Sequence, residues 1–303
     1  MNCSFDSPDN IDPTVLQFAL TLEHLENVFY KGALSKFSPR DFTKAGYNAD
    51  YYTNLQYIAH DEEQHVKLLS GALTAAGVTP VQACTYSFPY TDVQSFITLS
   101  SVLEGVGTSA YLGGAPLITS KDYLSVAGAI LVSEALHTSL QRGAAGEVPF
   151  ANPYGTALDP TSVYTLAAGF IKSCPSSNPA LPFKPFPTLS VAMKSNKKHS
   201  GWKKHSKSAP IPCAGDKVEF TAASAIPDGS YVTFVSGLSV VSVKGESKGN
   251  STTAAIPQVA EGQTYVFVSN KDVEGKLDDS AILFGPAILE VAPQPPTYDP
   301  NQQ

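Results

Sequence analysis

Residues 57–69 read YIAHDEEQHVKLL and place Glu62 and His65 three residues apart within an apolar helical repeat. Side chains three residues apart share one face of an α-helix, so this carboxylate and this imidazole point the same way. A second Glu-x-x-His sequence occurs at Glu134 and His137, within the segment ILVSEALHTSLQR. The repeat predicts two helices with matching pairs of metal-ligating side chains.

Each Glu-x-x-His helix follows an earlier apolar helix that carries glutamate. The first of these covers residues 12–33 and holds Glu23 and Glu26, whereas the other covers residues 92–111 and holds Glu104. In chain order the four helices carry Glu, Glu-x-x-His, Glu and Glu-x-x-His. This is the ligand set of a carboxylate-bridged dinuclear metal site inside a helical bundle.

The charges of this ligand set indicate which ions it would hold. Four carboxylates buried together are costly unless their charge is balanced. Two divalent cations balance four carboxylates beside two neutral imidazoles. Mixed oxygen and imidazole ligands suit iron or manganese, so we expect two divalent ions, iron or manganese, as cofactors.

The periodicity of the chain changes along its length. Period-3.6 patterns in the first half predict helices, and one of them begins at Asp12-Pro13 with an aspartate cap. Short alternating runs bounded by Gly, Pro or Asn follow Cys213 and predict a small β-sandwich. The expected helices cover about residues 12–33, 49–76, 92–111, 121–144 and 159–173. The expected divisions are a helical bundle at 12–190, a basic linker at 191–212, a β-sandwich at 213–292 and a flexible tail at 293–303.

Composition limits the classes of partner. The formal net charge of -7 argues against general binding of nucleic acid, because a phosphate-binding surface needs a surplus of Lys and Arg. We also expect no transmembrane segment, because no window approaches the roughly 20 uninterrupted apolar residues that span a bilayer.

The cysteines and sequons suggest a secreted protein. The chain has four cysteines without CxxC spacing, which favours two disulfides and an oxidising compartment over a metal cluster. Three pairings are open, and a cytosolic protein with reduced thiols is the alternative. Glycosylation sequons stand at Asn2 and Asn250. We therefore expect a glycoprotein that is extracellular or in the cell wall.

One basic run departs from the acidic balance of the chain. Residues 193–208 read MKSNKKHSGWKKHSKS. Such a run could bind a polyanion or cell-wall polysaccharide, but a solvated insert or processing site is the favoured interpretation.

Two segments carry a resemblance to a known family. LEHLENVFY at 22–30 and HDEEQHVKLL at 60–69 resemble fungal secreted ferritin-like proteins, which are related to the Rds1 stress-response and plant desiccation-related proteins. The resemblance covers about residues 12–190, and the β region is similar to the C-terminal region of the fungal members. It implies an α+β chain with separate domains: a ferritin-like four-helix bundle with an extra helix, then a β-sandwich.

The resemblance also implies roles for individual residues. Glu62 and Glu134 would be shared between the two ions, and His65 and His137 would each bind one ion. Glu104 would be a terminal ligand from the third long helix.

The ligand from the first helix is less directly implied. In related diiron bundles the ligand glutamate is often followed seven residues later by a tyrosine bonded to it, which selects Glu23 with Tyr30. Glu26 would then support the ligands or replace Glu23. Asp61 resembles an aspartate that orients a ligand histidine.

Two classes of function fit these residues. The first is a stress-response oxidoreductase whose dinuclear centre reacts with a small-molecule oxidant, peroxide or dioxygen. The second is a non-enzymatic, secreted or wall-associated binding protein with a structural or vestigial metal site. Iron storage in a closed cage is disfavoured because the extra β-domain obstructs a shell.

Overall fold

The computed structural model describes residues 11–192 and 211–297. These residues pack as two units. The helical unit contains residues 11–145 and 157–185, and the β unit contains residues 146–156, 186–192 and 211–297. The expected α+β organisation, helices followed by antiparallel sheets, is confirmed.

The described part of the helical unit contains four long helices and two short ones. The long helices confirm the periodicity of the first half, with ends within a few residues of those expected. Their bounds are α1 (Asp12–Lys36), α2 (Pro39–Lys44), α3 (Ala49–Ala75), α4 (Val93–Gly114), α5 (Lys121–Ala145) and α6 (Pro160–Ala168).

Aspartates begin several of these helices, but Asp12 does not act as expected. Asp92 accepts a hydrogen bond from Ser95 N at the start of α4. The Asp12 carboxylate instead accepts from the backbone nitrogens of Thr119 at 2.7 Å and Ser120 at 2.9 Å. Ile11 is the N-cap of α1. Asp12 therefore ties the start of α1 to the start of α5, and the predicted local cap was wrong.

The helix expected at 159–173 ends early. After α6, residues Ile171–Ser173 form strand β2, which pairs with β1 (Thr85–Tyr86). A disulfide between Cys84 and Cys174 adjoins this ribbon. The disulfide confirms one of the two expected bridges. The other pair would include Cys3, which lies outside the described residues.

The interior of the helical unit changes character along α1. Leu16 and Leu20 pack with Leu69, Leu73 and other aliphatic side chains. Farther along the same helix, Phe29 belongs to an aromatic cluster that includes Phe96. Glu23 and Glu26 lie between these two apolar regions, so carboxylates occupy the middle of an otherwise apolar interior.

The β unit is a sandwich of two antiparallel four-stranded sheets. Val232 and Phe234 of one sheet share a core with Val218 and Phe220 of the other. The sheet orders are β10-β9-β5-β6 and β3-β4-β8-β7. The strands are β3 (Leu189–Ala192), β4 (Lys217–Ala222), β5 (Tyr231–Ser236), β6 (Ser239–Lys244), β7 (Glu246–Lys248), β8 (Ser251–Ala255), β9 (Gly262–Ser269) and β10 (Ile282–Val291).

The unit boundaries differ from those expected. Residues 186–192 belong to the β unit because β3 pairs with β4, as in the register of Leu189 with Ala222. Residues 146–156 join it as well, and Thr156 Oγ1 accepts a hydrogen bond from Gly237 N. Most of the expected basic linker, residues 193–210, lies outside the described residues.

One described helix, α5, is long and apolar enough by length and composition to cross a membrane. In the sequence, Glu134 and His137 divide the apolar residues of α5 into shorter runs, so no uninterrupted apolar run marks this helix. Both of these side chains are buried.

Candidate metal centre

The four long helices bring the six predicted ligands together in the bundle interior. The four glutamates are 0% exposed, whereas His65 is 8% and His137 is 6% exposed. Each comes from an apolar helix whose periodicity turns that side chain inward. The carboxylates are Glu23 on α1, Glu62 on α3, Glu104 on α4 and Glu134 on α5.

These residues form two overlapping groups of potential ligands. Glu62 and Glu134 belong to both groups. One group is completed by Glu23 and His65, and the other by Glu104 and His137; within each group the ligand atoms lie within 4.8 Å of one another. The arrangement has the composition expected for two ions that share two carboxylates.

Both histidines direct Nδ1 at the carboxylates. His65 Nδ1 lies 3.1 Å from Glu23 Oε2 and 3.5 Å from Glu62 Oε2. His137 Nδ1 lies 3.1 Å from Glu62 Oε1 and 3.4 Å from Glu104 Oε2. Nδ1 is therefore the nitrogen that each ring could offer to a metal ion.

Asp61 lies on the far side of one histidine. Its Oδ2 is 3.3 Å from His137 Nε2, and Ser133 Oγ is 3.4 Å from the same nitrogen. A carboxylate on the remote nitrogen fixes the tautomer and ring orientation of a ligating histidine. Asp61 thus occupies the place that its expected role requires.

The tyrosine that was expected to bond Glu23 bonds a different carboxylate. Tyr30 Oη donates to Glu104, and Glu23 instead accepts from Tyr111 Oη on α4. Residues 23 and 30 are seven positions apart, which is about 10.5 Å along a helix. Tyr30 therefore crosses to the neighbouring helix, and the bond to Glu23 inferred from the resemblance was wrong.

Tyr111 and Gln141 also contact this network, and neither was predicted from the sequence. Gln141 Nε2 donates to Tyr30 Oη at 3.1 Å and its Oε1 accepts from Tyr51 Oη at 2.5 Å. Tyr111 follows Glu104 by seven residues, just as Tyr30 follows Glu23. That repeated spacing could have identified Tyr111, whereas no local signal marked Gln141.

Several buried oxygen and nitrogen atoms of the predicted ligands lack hydrogen-bond partners among the described residues, as expected for a metal site. Among the described residues, six buried ligand atoms have no partner in hydrogen-bond geometry: both oxygens of Glu62 and Glu134, Glu104 Oε2 and His137 Nδ1. Buried polar atoms are ordinarily satisfied, and each exception calls for an explanation. Cations coordinated by these atoms would satisfy all of them at once, so the residues present fit a dinuclear centre.

The electrostatics show how strongly protons are held where cations would bind. Burial raises the pKa of Glu62 to about 7 and raises that of Glu134 well above its usual range. Burial alone would lower the histidine values. The neighbouring carboxylates of Glu23 and Glu62 nevertheless raise the pKa of His65 to about 10, and those of Glu104 and Glu62 raise the pKa of His137 to about 11. Protons therefore compete with metal ions for this centre.

Comparisons with known proteins agree with this geometry. Residues 11–147, which include the four long helices, match the family model described as a ferritin-like domain. Protein rds1 from Schizosaccharomyces pombe is 28% identical over 180 residues, which are 59% of this chain and 44% of that protein. The chain thus spans less than half the length of this relative.

A solved structure was also found. It is a conserved hypothetical protein from Mycobacterium tuberculosis, 19% identical, with a TM-score of 0.37 over 46% of this chain and 94% of that one. Residues 11–147 are therefore similar to a ferritin-like domain, and the chain is similar to protein rds1 over 180 residues.

Proposed function

We propose that the helical domain binds two divalent metal ions, iron or manganese, and uses them for redox chemistry with peroxide or dioxygen. The observation that carries the proposal is the set of six buried ligand atoms without hydrogen-bond partners among the described residues. Those atoms belong to four residues that come from three different helices, and they include every oxygen of the two carboxylates common to both groups.

The ligand assignment follows from the two groups. Glu62 and Glu134 would bridge the ions. Glu23 and His65 would complete one site, whereas Glu104 and His137 would complete the other. Four carboxylates and two neutral imidazoles balance two divalent ions, and this donor set suits iron or manganese.

The chain would control what reaches the ions. Bound iron or manganese would supply electron transfer to or from a small oxidant. The glutamates are fully buried and the two histidines nearly so, which excludes bulk water and favours a reactant no larger than peroxide or dioxygen. Tyr30 and Tyr111 hold Glu104 and Glu23 in place through their hydroxyl protons.

We further propose that the protein is secreted or located in the cell wall. The Cys84–Cys174 disulfide supports an oxidising compartment, where such bonds persist. The second candidate function, a wall-associated binding protein with a structural metal site, uses the same disulfide and the same ligands. It differs in having no turnover.

Metal content is the first test. Protein purified from a secretory host without chelator is expected to contain about two iron or manganese ions per chain by plasma mass spectrometry. A Glu62→Ala/His137→Ala variant removes one shared and one terminal ligand and should lose both ions. Glu63→Ala is the matched control, because Glu63 neighbours Glu62 but pairs with Lys31 and Lys67 on the solvent side.

Peroxide consumption then separates the two functions. The metal-loaded protein is expected to consume peroxide, and Glu134→Ala should abolish that activity. Two bound ions without turnover would favour the structural site. A wild-type chain that takes up no iron or manganese on reconstitution would overturn the metal-centre proposal.

A further inference from the structure

Helices α1 and α4 each carry a glutamate followed seven residues later by a tyrosine, so the two helices can be compared position by position. On α1 the residues at successive inward turns are Glu23, Glu26 and Tyr30. On α4 the same spacing starts at Glu104 and ends at Tyr111, with Gly107 between them. Gly107 therefore stands where α4 would carry the counterpart of Glu26, so α1 has a carboxylate at this position and α4 has no side chain.

Glu26 uses the space that Gly107 leaves. A Cβ atom at Gly107 would lie 2.8 Å from Glu26 Oε1 and closer still to Glu134 Oε2. Both carboxylates thus lie directly against the α4 backbone, where any side chain would displace them. Glu26 is only 4% exposed, so its carboxylate lies in the bundle interior beside a shared ligand.

We propose that Glu26 is a fifth carboxylate ligand of the metal centre, admitted by Gly107. The inference rests on the proposed function, because it requires that the centre bind metal. It goes beyond the six-ligand set, since Glu26 belongs to neither of the two ligand groups.

A fifth carboxylate would change the balance between the charge of the ligands and the charge of the two metal ions. Five carboxylates with two neutral imidazoles carry five negative charges, whereas two divalent ions carry four positive charges. If one bound divalent ion gave an electron to dioxygen, which would become superoxide, the metal charge would rise to five and would match the five carboxylates. Glu26 would therefore favour the oxidised state of the centre.

Cobalt(II) tests whether Glu26 is a ligand, because its visible absorption responds to coordination number and geometry. Wild type, Glu26→Gln and Glu63→Gln are each loaded with two cobalt ions per chain. We expect a changed, more intense spectrum only in Glu26→Gln, from the loss of a carboxylate ligand. An unchanged spectrum with two cobalt ions bound would overturn the inference and leave the proposed function intact.

The iron-loaded protein tests the consequence by redox titration. In Glu26→Gln the ratio of oxidised to reduced iron at a fixed potential should fall about tenfold. This change corresponds to a positive shift of about 59 mV in the midpoint potential. Glu63→Gln should not shift it. A shifted potential with an unchanged cobalt spectrum would make Glu26 a nearby charge and would reject ligation.

Gly107→Ala provides a second variant that keeps every carboxylate. Its added methyl group must push Glu26 and Glu134 away from α4, so both the cobalt spectrum and the iron potential should change. Wild-type spectrum and potential in Gly107→Ala would contradict the inference even if Glu26→Gln failed to fold. If wild type bound neither metal, the proposed function and this inference would fall together.

Discussion

Tyr111 on α4 donates a hydrogen bond to Glu23 on α1. The bond occupies Oε1 of the carboxylate, and Oε2 remains directed at His65 Nδ1, 3.1 Å away. Tyr30 on α1 makes the reciprocal bond to Glu104 on α4. A tyrosine of α1 therefore orients Glu104 on α4, and a tyrosine of α4 orients Glu23 on α1. One oxygen of each of these two carboxylates is left facing the candidate metal centre.

Replacing Tyr111 with phenylalanine tests this arrangement. Tyr111→Phe keeps the ring and removes the donor, which frees Glu23 to rotate and leaves Oε1 unsatisfied. Because partners of metal ligands typically contribute 10–100-fold to affinity, we expect manganese affinity to fall by roughly that factor. Titration calorimetry of chelator-treated protein with manganese measures the change.

Tyr57→Phe is the matched control, because Tyr57 is on α3 and 66% exposed. It should bind manganese like wild type. Wild-type affinity in Tyr111→Phe would show that the tyrosine contributes to packing alone.

The contact between Asp61 and His137 leads to a prediction about the metal affinity of the site that contains His137. Asp61 contacts the remote nitrogen of His137, whereas the corresponding position on α5 is Ser133, which contacts that same nitrogen. In Asp61→Ala the affinity of the site with His137 should fall about 10–100-fold. Titration calorimetry should then show two separated manganese-binding steps.

Gln64→Ala, a change on the solvent side of the same helix, should leave the manganese titration unchanged. A uniform weakening of both steps in Asp61→Ala would count against a specific effect on His137.

The sequence was sufficient for the helices and for the six side chains that the bundle brings together, because both depend on local spacing. Apolar periodicity defines α1, α3, α4 and α5, and Glu-x-x-His places two ligands on one helical face. The resemblance assigned Tyr30 a partner on its own helix. That partner was wrong because side-chain bonding depends on which helices are neighbours, which spacing along one helix does not specify.

The sequence was less informative in the β unit and at the helix ends. Strand β3 has four residues and β7 has three, which is too short for a reliable pattern in the sequence, and their pairing with β4 and β8 defines them as strands. Asp12 resembles a local helix cap in sequence, but Thr119 and Ser120 compete for its carboxylate. In both cases a tertiary contact outweighs the local pattern.

The disulfide leads to a stability prediction. Cys84 and Cys174 are 90 residues apart and link the segment after α3 to the segment after β2. Removing a bridge that closes a long loop typically costs about 2–4 kcal/mol, because the unfolded chain gains freedom. Cys84→Ser/Cys174→Ser should lose about this much unfolding free energy in urea denaturation, monitored by helical circular dichroism.

In a Cys3→Ser/Cys213→Ser background, the chain that keeps Cys84 and Cys174 should lose a similar amount in a strong reductant, whereas the variant without any cysteine should not respond to the reductant. Equal stability of the wild type and the double variant would mean that the ribbon of β1 and β2 holds these segments without the bridge.

The raised pKa values predict how stability depends on pH. In the folded chain without bound metal, the pKa is about 7 for Glu62, about 10 for His65 and about 11 for His137, each above its ordinary value. The folded state therefore holds protons that the unfolded state releases, so stability declines as pH rises. The histidine contribution is complete below about pH 6.5 and is lost as pH passes through 10 and 11. The Glu62 contribution is lost between about 4.5 and 7.

Scanning calorimetry between pH 6 and 9 in chelator tests this dependence. The unfolding temperature of the chelated protein should fall with pH, by roughly 2–4 °C for each kcal/mol lost in a domain of this size. Two equivalents of manganese should flatten the slope, because the cations replace the protons. In His65→Leu/His137→Leu the chelated protein should show a smaller slope, since both raised histidine groups are gone. A slope as steep as that of wild type in the double variant would assign the pH dependence to groups outside the centre.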